Sequence, residues 1–125
     1  MKRLVTAIVL ILVAISVSVF ESCYVIRISE KVETNLNSAF DCYQKNNLVQ
    51  TNFYLSQAKN IWDNSRGLLN SLLIHNYTEN ISEEIAVAIN TLKYDAENFP
   101  IECQKTIIVV KDIRYSMIPY IENIL

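Results

Sequence analysis

Glycine and proline are almost missing from this chain: one Gly and two Pro in 125 residues. A turn-rich β-sandwich, collagen or a low-complexity linker needs many more of both. A Gly-rich phosphate loop needs several glycines close together, so that class is excluded as well. Three cysteines occur with no CxxC, which leaves redox catalysis and Cys-type zinc sites without support. No GxSxG marks a nucleophile elbow. Positive charge is also scarce. Lys and Arg number 11 against 13 Asp and Glu, for a formal net charge of −2 and a pI near 5.4. That balance argues against nucleic acid as a partner. With these parts absent, the sequence points to a protein that is not an enzyme and carries no cofactor.

Apolar side chains, by contrast, make up 51% of the chain. Met1-Lys2-Arg3 is followed by Leu4 to Phe20 without a single charge. As a helix this run spans about 25 Å, the short edge of what a bilayer core of roughly 30 Å requires. Residues 4–20 are therefore expected to contact membrane lipid. Lys2 and Arg3 orient the segment with the rest of the chain outside the cytoplasm. Two readings compete. A cleaved signal peptide would use Ser16-Val17-Ser18 as its small-x-small site and release a secreted protein. An uncut signal anchor fits the continuation of the run through Val19 and Phe20. It also fits the helix-compatible sequence that resumes at Ser22 with no Gly or Pro between. The anchor reading divides the chain into 1–21, a transmembrane helix, and 22–125, an extracytoplasmic domain. A lipoprotein is disfavoured, because Phe20-Glu21-Ser22 before Cys23 is no lipobox. Counted from Glu21 onward, the part beyond the apolar run carries 9 basic and 13 acidic residues, a net of −4, so a basic patch for anionic lipid is not expected.

Beyond residue 21 the apolar pattern is helical throughout. Val25, Ile28, Val32, Leu36, Ala39 and Tyr43 form one face, which predicts a helix continuing from the anchor to about Gln44. Lys45-Asn46-Asn47 reads as a polar turn. Leu55, Ala58, Trp62, Ser65, Leu69, Leu72 and Asn76 step by three and four through a second helix ending near His75. Gly67 lies inside it, either for close approach of a neighbour or merely tolerated. A third helix is expected after Thr78-Glu79-Asn80, capped by Asn80 or Ser82, with Glu83 and Glu84 in its first turn. Its buried stripe is Ile81, Ile85, Ala88 and Leu92. Pro100 opens a fourth helix. Cys103, Ile107, Val110, Arg114 and Met117 share one side of it, flanked by Ile108 and Ile113. Arg114 interrupts the stripe, and Pro119 ends or kinks the helix. The fold class expected is all-α: an N-terminal transmembrane helix continuing into a small antiparallel bundle of about four helices.

The cysteines have several possible roles. Cys42 and Cys103 can be small core residues or form a bridge, and Cys23 at the membrane edge can link two copies. His75, with Glu79, Glu83 and Glu84 nearby, can hold a divalent ion, contact a partner or act as a general base. The simpler role is complementing the dipole at the end of the second helix. Trp62 is most simply the largest core residue of its helix. Asn76-Tyr77-Thr78 and Asn80-Ile81-Ser82 match the glycosylation sequon, which matters only in a eukaryotic secretory route.

One family resemblance spans the whole chain. A short basic start, a single apolar helix, W-x(11)-I-H from Trp62 to Ile74-His75, an Ile-rich helix and a closing Glu122-Asn123-Ile124-Leu125 follow in order. This order and spacing resembles domain-of-unknown-function family 4363, small signal-anchored helical bacterial proteins. The resemblance implies a membrane-anchored, all-helical external domain, often a companion of an integral membrane protein, with no assigned activity or site. The expected function is thus a protein-interaction or scaffold module accompanying another membrane or envelope protein, touching it through Trp62, His75, Glu79 and Glu83. The alternative is a sensor of a small ligand or metal, using His75 and the nearby carboxylates.

Overall fold

The computed structural model describes residues 1–72 and 75–124, with the side chains of 68–78 and 116–124 outside the description. Among the described residues there are four α-helices and no strand. They are α1 (Lys2–Gln44), α2 (Leu48–Leu72), α3 (His75–Tyr94) and α4 (Phe99–Ile124), with a single 3₁₀ turn at Ala96–Asn98 before α4. The chain is an all-α bundle preceded by a long apolar helix, as its periodicity implied. α1 runs unbroken from the apolar stretch into the bundle, because no residue between them lacks an N–H or frees the backbone.

The turn after α1 shows why the chain reverses there. Asn46 takes a left-handed conformation at φ 59, which Asn tolerates better than most residues. The N–H of Asn46 bonds Tyr43 O at 3.0 Å and the N–H of Asn47 bonds Cys42 O at 2.9 Å. This is the paired pattern that closes a helix C-terminus. Asn47 then opens α2, its side-chain Oδ1 accepting the N–H of Gln50 at 3.2 Å. At the α3–α4 reversal, Asn98 donates to the Asp95 carboxylate at 2.6 Å. The Tyr43 hydroxyl crosses from α1 to bond Ala96 O at 2.5 Å, and its ring lies 5.1 Å from that of Phe99.

Successive helices are antiparallel neighbours: α1 packs on α2 and α4, α3 on α2 and α4. Contacts fix the direction. Glu33 meets Arg114, Leu36 meets Cys103 and Tyr43 meets Ala96, so α1 and α4 run oppositely. The core takes Val25, Val32, Leu36 and Ala39 from α1, and Leu55, Ala58 and Trp62 from α2. From α3 it takes Ile81, Ile85 and Ala88, and from α4 Phe99, Cys103, Ile107, Val110 and Ile113. Thr51, Ser65 and Thr106 are buried among them. Leu69, Leu72, Asn76 and Met117 lie outside the described side chains.

The start of α3 and the placement of Ile108 are corrected, and other local expectations are narrowed. α3 starts at His75 rather than after Asn80, so Asn80 and Ser82 are internal to the helix and Glu83 and Glu84 are not in its first turn. The stretch from His75 to Asn80 is polar but has no Gly or Pro, and polarity alone does not stop a helix. The described part of α2 reaches Leu72, and residues 73–74 before His75 lie outside the described residues. Of the two alternatives for Pro119, ending the helix is excluded, since α4 continues to Ile124; the ring still forfeits the bond to one carbonyl four residues back, the loss that kinks a helix. Ile108 is 57% exposed rather than flanking the core, since the stripe of α4 turns toward Phe99, Thr106 and Ile113. Gly67 makes no close approach: a Cβ there would meet nothing within 4 Å.

Arg114 is explained by α1. Its guanidinium donates to Glu33, a buried carboxylate on the opposite helix. Lys111 approaches the other oxygen of the same group at 3.7 Å. An ion pair removed from water this far destabilises the fold when only one partner is lost.

Two stability measurements check this account. Gly67→Ala should raise the unfolding free energy by about 1 kcal/mol, read as a higher Tm by circular dichroism. Glu33→Ala should lower it by about 3 kcal/mol, and Glu33→Leu with Arg114→Leu should recover most of that loss.

Candidate functional site

Trp62, the residue first expected to face a partner, is fully buried. Helix α2 carries it into the middle of the core, and its indole N–H donates to Ser82 Oγ on α3 at 3.0 Å. A buried indole needs such an acceptor, and Ser82 serves as that rather than as a cap. Trp62 therefore offers no surface in the folded bundle. Glu83 is exposed on α3 and Glu79 is half-buried one turn before it. Because α3 begins at His75, the three residues His75, Glu79 and Glu83 fall at four-residue steps along one helix, and no turn intervenes. The side chain of His75 lies outside the described residues, as do those of Asn76, Tyr77 and Thr78 in the first sequon. Among the described residues no three His, Cys, Asp or Glu side chains converge to hold a metal ion.

The α3–α4 seam holds carboxylates of its own. Glu84 pairs with Lys105 at 3.7 Å, and its backbone carbonyl accepts from Thr106 at 3.3 Å. Each of these contacts ties α3 to α4 rather than opening toward a substrate.

The thiols are free. Cys103 lies in the core and points its S–H at Leu36 O, 3.5 Å away. Cys42 is half-buried and Cys23 exposed, so no Cys42–Cys103 bridge forms. Burial pushes the Cys103 thiol from its ordinary 9.0 up to about 12, so it stays protonated and non-nucleophilic at neutral pH. Desolvation alone would lower the Arg114 guanidinium. Its contacts with Tyr115 and the Glu33 carboxylate outweigh that and raise it above its ordinary value.

The surface that sequence reasoning missed is apolar. Phe40 of α1 and Pro100, Ile101, Ile108 and Val109 of α4 line a shallow groove of about 620 Å³, with Gln104 and Lys105 at its edge. Ile101 is 68% exposed and Ile108 57%. The start of α2 bares Leu48, Val49 and Phe53, and Tyr94 stands exposed at the end of α3. All of these except Ile108 and Val109 lie at the end of the bundle remote from the apolar stretch of α1. The signal was present in the sequence: Ile101, Ile108 and Tyr115 recur every seventh residue, on a different face from Cys103, Ile107 and Val110.

Among the described residues one helix, α1, is long and apolar enough to cross a membrane, and none of its apolar window is buried. It is a candidate membrane anchor or signal, and one able to meet lipid.

The thiols provide a direct check of this geometry. In the folded protein at pH 8, iodoacetamide should label Cys23 readily and leave Cys103 unmodified until the bundle unfolds, as read by peptide mass mapping. The sign of the pH effect follows from the raised thiol: its contribution to stability is complete below pH 9 and is lost as pH rises toward 12. Comparison with protein-family models, curated proteins and solved structures finds no match to this chain.

Proposed function

We propose that this chain is a membrane-anchored helical module outside the cytoplasm that docks a second membrane or envelope protein through the groove between α1 and α4. The observation that carries the reading is the groove itself. Folding leaves Phe40, Ile101 and Ile108 lining an open apolar surface although the core beneath is complete. From Pro100 to Val109 it follows α4 for about 14 Å, some two and a half turns. That length and its apolar walls suit the apolar face of a partner helix, whose anchors recur at three- and four-residue steps. Large apolar side chains exposed together mark interaction surfaces more often than isolated ones do.

The anchor half of the reading is supported by the unbroken helix from Lys2 through Gln44. Cleavage after Ser18 would cut that helix inside a turn whose next residues are already covered by the bundle, since Ser22 and Val25 are buried. Lys2 and Arg3 hold the short N-terminus in the cytoplasm by the positive-inside rule. The resemblance to family 4363 belongs to the same proposal and is consistent with a companion role. No catalytic step is assigned: Cys103 stays protonated, and Glu84 and Lys105 serve in an interhelical contact.

A photoreactive amino acid at position 108 of the full chain in its native membrane tests the proposal. A discrete protein adduct is expected from position 108 and none from position 63, on the exposed side of α2. Adducts only to lipid, or the same products from both positions, would reject the groove as a docking site. A product of twice the chain mass would identify a second copy as the occupant and reject the hetero-partner.

A further inference from the structure

The boundary between the apolar stretch and the bundle is not a gap but an overlap. Along the first part of α1 the valines are bare, with Val13 54% and Val17 49% exposed. Two residues later Val19 is half-covered, Ser18 likewise, and Ser22 is only 6% exposed. One side of α1 is therefore covered at Ser22, with the cover beginning at Ser18. Phe20, in the same turn, is 69% exposed on the uncovered side. A phenylalanine that belongs in lipid and a serine that lies under other helices thus occupy one level of the rod. The charge-free run cannot be placed wholly in lipid without carrying the lower end of the bundle to the lipid boundary.

From this overlap we propose that the lower end of the bundle is itself seated in the headgroup–acyl boundary of the bilayer that α1 enters. The proposal rests on the anchor reading above. Length points the same way. The uncovered part, Leu4 to Val17, spans about 21 Å against a hydrocarbon core of roughly 30 Å. Lowering the bundle to the level of Phe20 relieves part of that mismatch.

The topology supplies an independent argument. Alternating helix directions bring the end of α2, the start of α3 and the end of α4 to the Ser22 end of the bundle. The connections at the opposite end are polar, Lys45-Asn46-Asn47 and Asp95 to Asn98. In sequence, α2 closes on Leu-Leu-Asn-Ser-Leu over 68–72, and α4 carries Met-Ile-Pro-Tyr-Ile over 117–121. No Lys or Arg occurs from 67 to 92 or from 115 to 125, so these segments bring no positive charge to that end. The surface it fits is the interface of a bilayer, zwitterionic as readily as anionic.

Brominated-lipid quenching of single added tryptophans reads the depth directly. The full chain is reconstituted in phosphatidylcholine vesicles whose acyl chains are brominated near the glycerol end. Asn70→Trp and Asn123→Trp probe the lower end, Tyr94→Trp the opposite end, and Phe20→Trp the anchor. Trp62, enclosed in the core, is the common background removed by subtracting the parent chain. Quenching at position 70 or 123 at least about twofold above that at 94, equal with and without added anionic lipid, is the result expected for an end immersed to interfacial depth. If position 20 is quenched while neither 70 nor 123 exceeds 94, the seating is overturned and the anchor stands. If position 20 is not quenched either, the anchor reading falls and the seating falls with it.

Discussion

One uninterrupted backbone hydrogen-bond ladder, that of α1 from Lys2 to Gln44, governs the rest of this molecule. A helix with no breaker transmits position and rotation along its whole length. The face that buries Val25, Val32 and Leu36 is therefore set in phase with the bare apolar residues below it. The other three helices have only to find the stripe that α1 presents, and they do so in alternating directions because each connection is short. Stability comes from those faces packing together, since helices of this composition are marginal alone in water.

Polar groups within the bundle act as cross-ties between particular helix pairs. Glu33 holds Arg114 across the α1–α4 seam, Trp62 reaches Ser82 across α2–α3, and Thr106 reaches the Glu84 carbonyl across α3–α4. Each removes a choice of register, because a one-turn slip would leave a charge or an indole N–H buried without its partner. Tyr43, bonded to Ala96 with its ring tilted against that of Phe99, does the same at the remote end. With registers tied on these seams, the exposed remainder of α4 is held as a firm surface. The groove from Phe40 to Ile108 is a consequence of that firmness, and the proposed docking role depends on it.

Much of the fold was legible in the chain. The end of the first helix, the turn at Lys45-Asn46-Asn47, the core positions of α1 and the opening of α4 at Pro100 all followed from periodicity and turn chemistry. The start of α3 did not, because His75 to Asn80 is polar without containing a residue that stops a helix. Pro119 left two alternatives open, an end or a kink, and the continuation of α4 to Ile124 removed the first. The candidate site was the least legible part. Trp62 stood out for its size, but size and a central stripe position place a residue in the core. Ile101 was not singled out and Ile108 was assigned to the flank of the buried stripe, because an apolar residue on a helix gives no sign by itself of which neighbour will cover it.

The sequence alone determined that the chain is helical, where its first segment leaves the apolar run, and which stripe of each helix is buried. Those features depend on side chains three and four residues apart and on local backbone freedom. Only the tertiary structure decided that Glu33 answers Arg114, that Trp62 reaches Ser82, and that Phe40 shares a groove with Ile108. Such pairings join residues up to 81 positions apart. Their meeting depends on which helices become neighbours and in what register, quantities that no local pattern encodes.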